Sequence, residues 1–466
     1  MTEKTLNSSE EKHSLGTTLA YGCAMFADNT ASQFFAILVF IFYFAVMGVP
    51  ILWLWLAFTI WSIWNALNDP LFGVLSDRTK SKWGRRKPWI VVGIIPLCII
   101  LILLWTPPTD SLTSTFIYFV IIVMVFDAAF TMFSLNQTAL FPEMYLDLKE
   151  RAKANNIIQI FSILALVFAS ILPSFFIPVY RDPQYKSNYI TAGIFIAIVV
   201  GIAALIFILF GIKERVEFSK DSEQAPSFFA SIKTSFGNKS FLRFVIANFM
   251  VFYVFGMLPT LNALYASFVL GVDSSLMQSL LLGLTFISAA IFMFLWRFLS
   301  VRWGVKKGHI IAMITLIVCL VPFMFITTFQ QAIFAYLLAG VGLSGVLFFR
   351  AVTIATVIDE DELKTGVRRE GVYYGSNALI TRLSTIAMFA SISLVFINIG
   401  WAEYNPVGTT SQTILGLRLL FFVFPAIAMC LGILAMSGFP INKAKHQQIK
   451  EEINKLHDKK REKIKA

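Results

Sequence analysis

Residues 73–87 read Gly73-Val-Leu-Ser-Asp77-Arg78-Thr-Lys-Ser-Lys-Trp83-Gly84-Arg85-Arg86-Lys87, and residues 299–307 read Leu299-Ser300-Val-Arg302-Trp303-Gly304-Val-Lys306-Lys307. Each stretch holds a Trp-Gly pair followed by basic residues, and the two pairs stand 220 positions apart. Each is also a polar interruption between long apolar runs. Such runs, of about 18–28 residues, recur along the whole chain, and a helix that crosses a bilayer needs about 20. The reading is twelve spans, at residues 17–47, 50–76, 88–105, 114–140, 156–179 and 189–212, then 241–270, 276–299, 310–327, 332–358, 371–397 and 414–436. The longest connection, 213–240, divides them into two sets of six. The two Trp-Gly loops then follow the second span of each set, so the chain reads as a repeat of two similar halves. Repeats of this kind favour transporters, in which two similar halves rock around a central site.

Composition agrees. The 466 residues are 57% hydrophobic and 14% charged, with 47 phenylalanines; soluble domains carry about a quarter charged residues. The expected fold class is therefore an all-α integral membrane protein of two pseudo-symmetric six-helix bundles. Its parts are an N-terminal tail (1–16), an N-terminal bundle (17–212), a central loop (213–240), a C-terminal bundle (241–438) and a charged tail (439–466).

The net charge of +11 is distributed as a topology signal. Basic residues crowd the loops on one side: Arg78, Lys80, Lys82, Arg85, Arg86 and Lys87; Lys149, Arg151 and Lys153; Lys213 to Lys239; Arg302, Lys306 and Lys307; Lys364, Arg368 and Arg369; and the tail. The opposite loops hold only Arg181 and Lys186. Lys and Arg stay in the cytoplasm, so both termini are expected there, in a multi-pass protein of the cell membrane. An excess placed this way suits the bilayer's anionic leaflet and gives no case for nucleic acid. The polar start lacks the apolar stretch of a signal peptide, and the tail reads as a solvated polar helix. Cys23, Cys98, Cys319 and Cys430 lie in apolar segments without metal or disulfide spacing. The four histidines sit in tails or at a span start, and no nucleophile–base pair or phosphate cradle is present, which argues against an enzyme. The two halves suit alternating access better than a channel.

Ionisable groups inside spans mark pathways or binding sites. Asn65, Asn68 and Asp69 fall at i, i+3 and i+4 on one helical face. One carboxylate with amide oxygens is chemistry for a small cation or a transferable proton. Asp28 in the first span and Asp127 in the fourth add two more carboxylates. Arg297, Arg350 and Arg418 are placed nearer span ends, where long side chains snorkel.

The loop Gly73–Lys87 resembles the signature loop of the major facilitator superfamily. There Asp77, Arg78, Arg85 and Arg86 imply a charge network that locks one conformation, with Gly73 and Gly84 allowing close packing. Further blocks, Trp64-Asn65-Ala-Leu-Asn68-Asp69-Pro70, Leu140-Phe-Pro142-Glu143 and Asp359-Glu-Asp-Glu362-Leu-Lys364-Thr-Gly366-Val-Arg368, are similar to the glycoside–pentoside–hexuronide:cation symporters. That resemblance implies a secondary transporter working by alternating access. It would be a monomer needing no cofactor beyond a coupling ion, H⁺ or Na⁺, and would carry a sugar-like solute: a sugar, glycoside or uronide. It also implies a cation site from Asp69, Asn68, Asn65 and Thr131. The family pattern carries a second carboxylate where this chain has Asn65. Either Asp127 supplies that charge from the neighbouring helix, or it hydrogen-bonds a Tyr, Thr or Asn of the bundle. The substrate positions implied are Asn29, Ser134, Thr138, Gln159 and Arg382, with Asn29 and Ser134 standing where the family has carboxylates, Thr138 for an aromatic platform and Gln159 for an arginine. Asp28 and Asn377 join them as polar groups inside the spans, though ordinary interhelical hydrogen bonding explains Asn377 as well. Arg382 could clamp an anionic substrate or pair internally with Asp28 or Asp127. The Phe-rich composition keeps an amphiphile such as a lysolipid as the rival cargo.

Overall fold

The computed structural model describes residues 14–79, 81–145, 148–214 and 235–465. Lys80, Asp147, Arg215, Lys220 and Lys233, with most of the N-terminal tail and central loop, lie outside them. The described residues are helical almost throughout. The first six helices are α1 (Leu15–Ile41, continued by a π-helical turn Phe42–Val46), α2 (Ile51–Asp77), α3 (Lys87–Leu103), α4 (Leu112–Met144), α5 (Leu148–Ile171) and α6 (Lys186–Ile206). After the central loop come α7 (Lys239–Val269) and a run Ser275–Leu320 broken at Gly304, whose φ of 71° and ψ of 174° are not helical. The break divides that run into α8 (275–303) and α9 (305–320). Next are α10 (Phe329–Thr365) and α11 (Glu370–Asn398). The last span, α12 (Ser411–Ser437), bends at Phe422, and α13 (Lys443–Lys465) ends the chain.

Twelve spans result among the described residues. Ten helices are long and apolar enough to cross a bilayer; one of them holds both α8 and α9, and the shorter α3 completes the set. Boundaries shift mainly where spans run past the bilayer into polar caps, as α4 does to Met144 and α10 to Thr365. One end of the molecule, here the terminal face, carries the Trp-Gly loops and α13; the other is the far face. Three capping boxes, at Ser111, Thr328 and Thr410, start α4, α10 and α12 at the far face, satisfying backbone donors that helix starts leave open.

Without a hydrophobic force between helices in lipid, close packing and hydrogen bonds hold the bundles. A Cβ at Gly340 of α10 would lie 2.4 Å from the Thr285 carbonyl of α8, so only glycine lets these helices meet. The halves join near the far face. Phe58 stacks on Phe389 with ring centroids 3.8 Å apart. Arg181 pairs with Asp273 at 2.9 Å, Tyr180 bonds Ser279 at 2.8 Å, and the Ile51 amide donates to the Ala402 carbonyl at 2.9 Å. Toward the terminal face α11 stands clear: a Cβ added at Gly371 or Gly375 would meet nothing within 4 Å. The molecule is therefore shut at the far face and parted at the terminal one.

Candidate functional site

The Trp-Gly repeat reappears as matched geometry. Gly84 has φ +98° and Gly304 φ +71°, a region glycine reaches without steric cost. Each glycine is closed over by the segment that follows the last span of its own half. The Glu214 carboxylate lies against Gly84 and accepts from the backbone amides of Arg85, Arg86 (3.0 Å) and Lys87 (3.2 Å), anchoring the start of α3. Negative charge at a helix start is stabilising. At Gly304 the neighbour is Lys443, whose ammonium donates to the Arg302 carbonyl at 3.0 Å.

The gate residues form a network inside the N-terminal half. Arg86 reaches Asp77 at 3.1 Å and Glu143 at 2.9 Å, and Arg85 reaches Glu143 at 2.8 Å. This ties the ends of α2 and α4 to the loop before α3. Arg78 is exposed and no ion pair of it is seen among the described residues. Gly73 is not a close approach either, since a Cβ there would meet only Leu135 at 3.6 Å. The C-terminal half answers with Arg369–Asp361 (2.6 Å), Arg368–Glu362 (2.9 Å) and Lys445–Glu360 (2.8 Å). Burial alone would raise the Glu360 carboxyl; Lys445, the Ser240 hydroxyl and Lys364 outweigh it and hold the group below the usual carboxylate range. His457 bonds Glu362 at 3.0 Å, and Ile449 and Ile453 are buried. The tail helix thus docks on the C-terminal half instead of lying free in solvent.

Deeper in, α2 and α4 bring Asn65, Asn68, Asp69, Asp127 and Thr131 together. Asn68 Nδ2 donates to Asp127 Oδ2 at 2.9 Å and to Thr131 Oγ1 at 3.0 Å, and Thr131 donates to Asp69 Oδ1 at 3.1 Å. The oxygens Asn65 Oδ1 and Asn68 Oδ1 are buried with no hydrogen-bond partner. Buried acceptors are rarely left so. Pro70 adds to this, because it lacks the N–H that would bond the Ala66 carbonyl. Unsatisfied oxygens beside a carboxylate fit a small cation or a proton carrier. Among the described residues no group of three acidic, His or Cys side chains is close enough to ligate one ion, so the amides and Thr131 would complete any coordination.

Arg382 of α11 crosses from the other half. The sequence leaves it either to clamp an anionic substrate or to pair with Asp28 or Asp127; its ion pair is with Asp69, Nη2 to Oδ2 at 3.0 Å. The physical reason is that α11 packs on α2, which presents Asp69 first. Asp28 and Asp127 lie within electrostatic range behind it. Asp28 neighbours Ser134 and keeps Oδ1 buried without a partner. Asn29 is spent on Met25 O (2.9 Å) and Ser162 (3.2 Å), Thr138 on Gln137 (3.2 Å), and Asn377 accepts from Asn248 at 2.7 Å. Gln159 is exposed on α5, away from these bonds. Arg350 is not at a span end: it lies well inside α10, its guanidinium 4.8 Å from the Phe252 ring centroid. Arg418 donates to the Ile326 carbonyl at 3.1 Å.

Residues 20–443 match a family model described as MFS/sugar transport protein. The chain belongs to this family of the major facilitator superfamily. An uncharacterized symporter of Synechocystis sp. is 25% identical, the match covering 96% of this chain and 97% of the relative. A sodium-dependent lysophosphatidylcholine symporter of Danio rerio is 21% identical over 84% of this chain and 79% of its own length. The crystal structure of the nucleoside transporter NupG matches with a TM-score of 0.66 at 13% identity, covering 91% of this chain and all of that one. At that identity the likeness speaks for the fold alone. The major facilitator resemblance read from Gly73–Lys87 thus holds, and this family member is a secondary transporter, not an enzyme.

Proposed function

We propose that this transporter is a cation-coupled symporter in which Asp69 alternates between a coupling cation and Arg382. The observation that carries this reading is the 3.0 Å Arg382–Asp69 pair, which joins the two halves beside the unsatisfied oxygens of Asn65 and Asn68. A Na⁺ or proton arriving at Asp69 neutralises the carboxylate and releases the guanidinium. The released Arg382 then holds the solute, and loss of the pair lets the halves rearrange. Each ligand favours the state the other needs, which is how coupling arises. On the Lys/Arg distribution the terminal face is cytoplasmic, so the far-face closure corresponds to an inward-facing conformation. A sodium-dependent relative favours Na⁺ as the first ion to test. A small sugar, glycoside or uronide is the leading cargo. The same relative's lysophosphatidylcholine, with the Phe-rich composition, supports a lysolipid as the second reading.

The test is uptake into proteoliposomes with an inward Na⁺ gradient, an inward H⁺ gradient, or neither. Accumulation that follows one gradient in the wild type and is lost in Asp69→Asn supports the reading. Equal accumulation in all three conditions would remove it.

A further inference from the structure

Arg350 is a cation inside a membrane span with no acidic partner among the described residues. Among the described residues the other arginines placed against the bundle interior have one or bond a carbonyl: Arg382 has Asp69 and Arg418 has the Ile326 carbonyl. Arg350 instead lies over Phe252 of α7 at 4.8 Å, with Tyr374 of α11 as its polar neighbour. A cation over a ring face is attracted to it, but the ring leaves the guanidinium's donors unused.

Two neighbours of Arg350 add donors, while His309 lies within electrostatic range of the guanidinium and the Glu370 and Asp359 carboxylates within range of Tyr374. Tyr374 is half exposed and brings a hydroxyl. Asn377, three residues on, accepts at its oxygen from Asn248, which leaves its NH₂ group to donate. Three donor groups from α10 and α11 thus border the gap beside α7, whose Asn248 keeps one buried amide oxygen without a partner there. Tyr374 and Arg382 fall at i and i+8 on one side of α11, about 12 Å apart along the helix. Arg350 therefore sits roughly two turns nearer the parted terminal face than Arg382, on the C-terminal wall opposite the carboxylates of Asp28, Asp69 and Asp127. An ionisable group kept in the membrane without a partner is a functional-site candidate by default, and a fork of N–H donors matches an oxyanion.

We propose that Arg350, with Tyr374 and Asn377, is an oxyanion site in the C-terminal wall, and that the cargo carries a carboxylate, sulfonate or phosphate group. This rests on the transport reading above and narrows its substrate class. The oxyanion could belong to a soluble organic anion or to a lysophospholipid headgroup, which share this chemistry.

The test is ligand-induced thermal stabilisation of the purified full chain, read without any ion gradient. The soluble probes are glucuronate and glycerol 3-phosphate, with methyl glucoside as neutral control; the lipid probe is a lysophospholipid, with a monoacylglycerol as its neutral control. The expected result is stabilisation by one anionic class and by neither neutral control. The half-effect concentration should rise at least tenfold in Arg350→Gln and be partly restored in Arg350→Lys. Unliganded melting of the two variants identifies any that fails to fold, and the Lys variant keeps the comparison usable. Stabilisation by neutral and anionic probes alike, by none of them, or equally in wild type and Arg350→Gln overturns the proposal. Loss of gradient-driven uptake with this binding intact would sink the coupling reading alone.

Discussion

Asp69 has two claims on it, Thr131 at one oxygen and Arg382 at the other. Removing the charge should leave the fold but end coupling: Asp69→Asn is expected to lower gradient-driven accumulation at least tenfold while solute exchange at equal concentrations persists, measured in proteoliposomes. Gly84 gives a contrasting prediction. Its φ of +98° and the Glu214 carboxylate against it make Gly84→Ala destabilising by roughly 1–3 kcal/mol. Gly73→Ala, with only Leu135 at 3.6 Å, should be near neutral. Melting of both variants in detergent checks this. Asp69 was legible in the sequence because a carboxylate in an apolar run is conspicuous on its own. Glu214 was not, since its role is to accept from amides of a loop far away in the chain. Nor was the choice of Asp69 over Asp28 or Asp127 as the partner of Arg382, which only the packing of α11 on α2 decides.

Among the elements, α13 carries the clearest consequence. Its sequence is polar and periodic enough to predict a helix, but not where that helix goes. Docking depends on Lys445 meeting Glu360 and on two isoleucines finding a surface. The Glu360 carboxyl is held below its ordinary range, so its contribution is complete above the unfolded carboxylate pKa and is lost as pH falls through the folded value. Deleting residues 443–466 should therefore lower the melting temperature by several degrees at pH 7. The gap between full chain and deletion should shrink below about pH 4. A gap that stays constant over that range would mean that the ion pair contributes nothing. The break at Gly304 belongs to this scale as well: the apolar pattern alone separated α8 from α9, and the left-handed glycine explains how one nearly continuous run can turn there.

For the whole molecule, closure at the far face and separation at the terminal face predict an asymmetric pattern of access. In a background without Cys23, Cys98, Cys319 and Cys430, Gly375→Cys should react with a membrane-impermeant maleimide added on the terminal side. Ser279→Cys, bonded beneath Tyr180, should be protected from the far side. Labelling of Ser279→Cys alone would indicate the opposite resting state. The twelve spans and the two halves were readable because lipid demands long apolar helices. The conformational state was not, since it depends on contacts between halves that leave no local pattern. The most direct measurement remains solute uptake by reconstituted protein under an imposed Na⁺ or H⁺ gradient, wild type beside Asp69→Asn. The account predicts accumulation above the external concentration with one gradient, and none in the variant. Accumulation that ignores both gradients, or survives unchanged in Asp69→Asn, would contradict it.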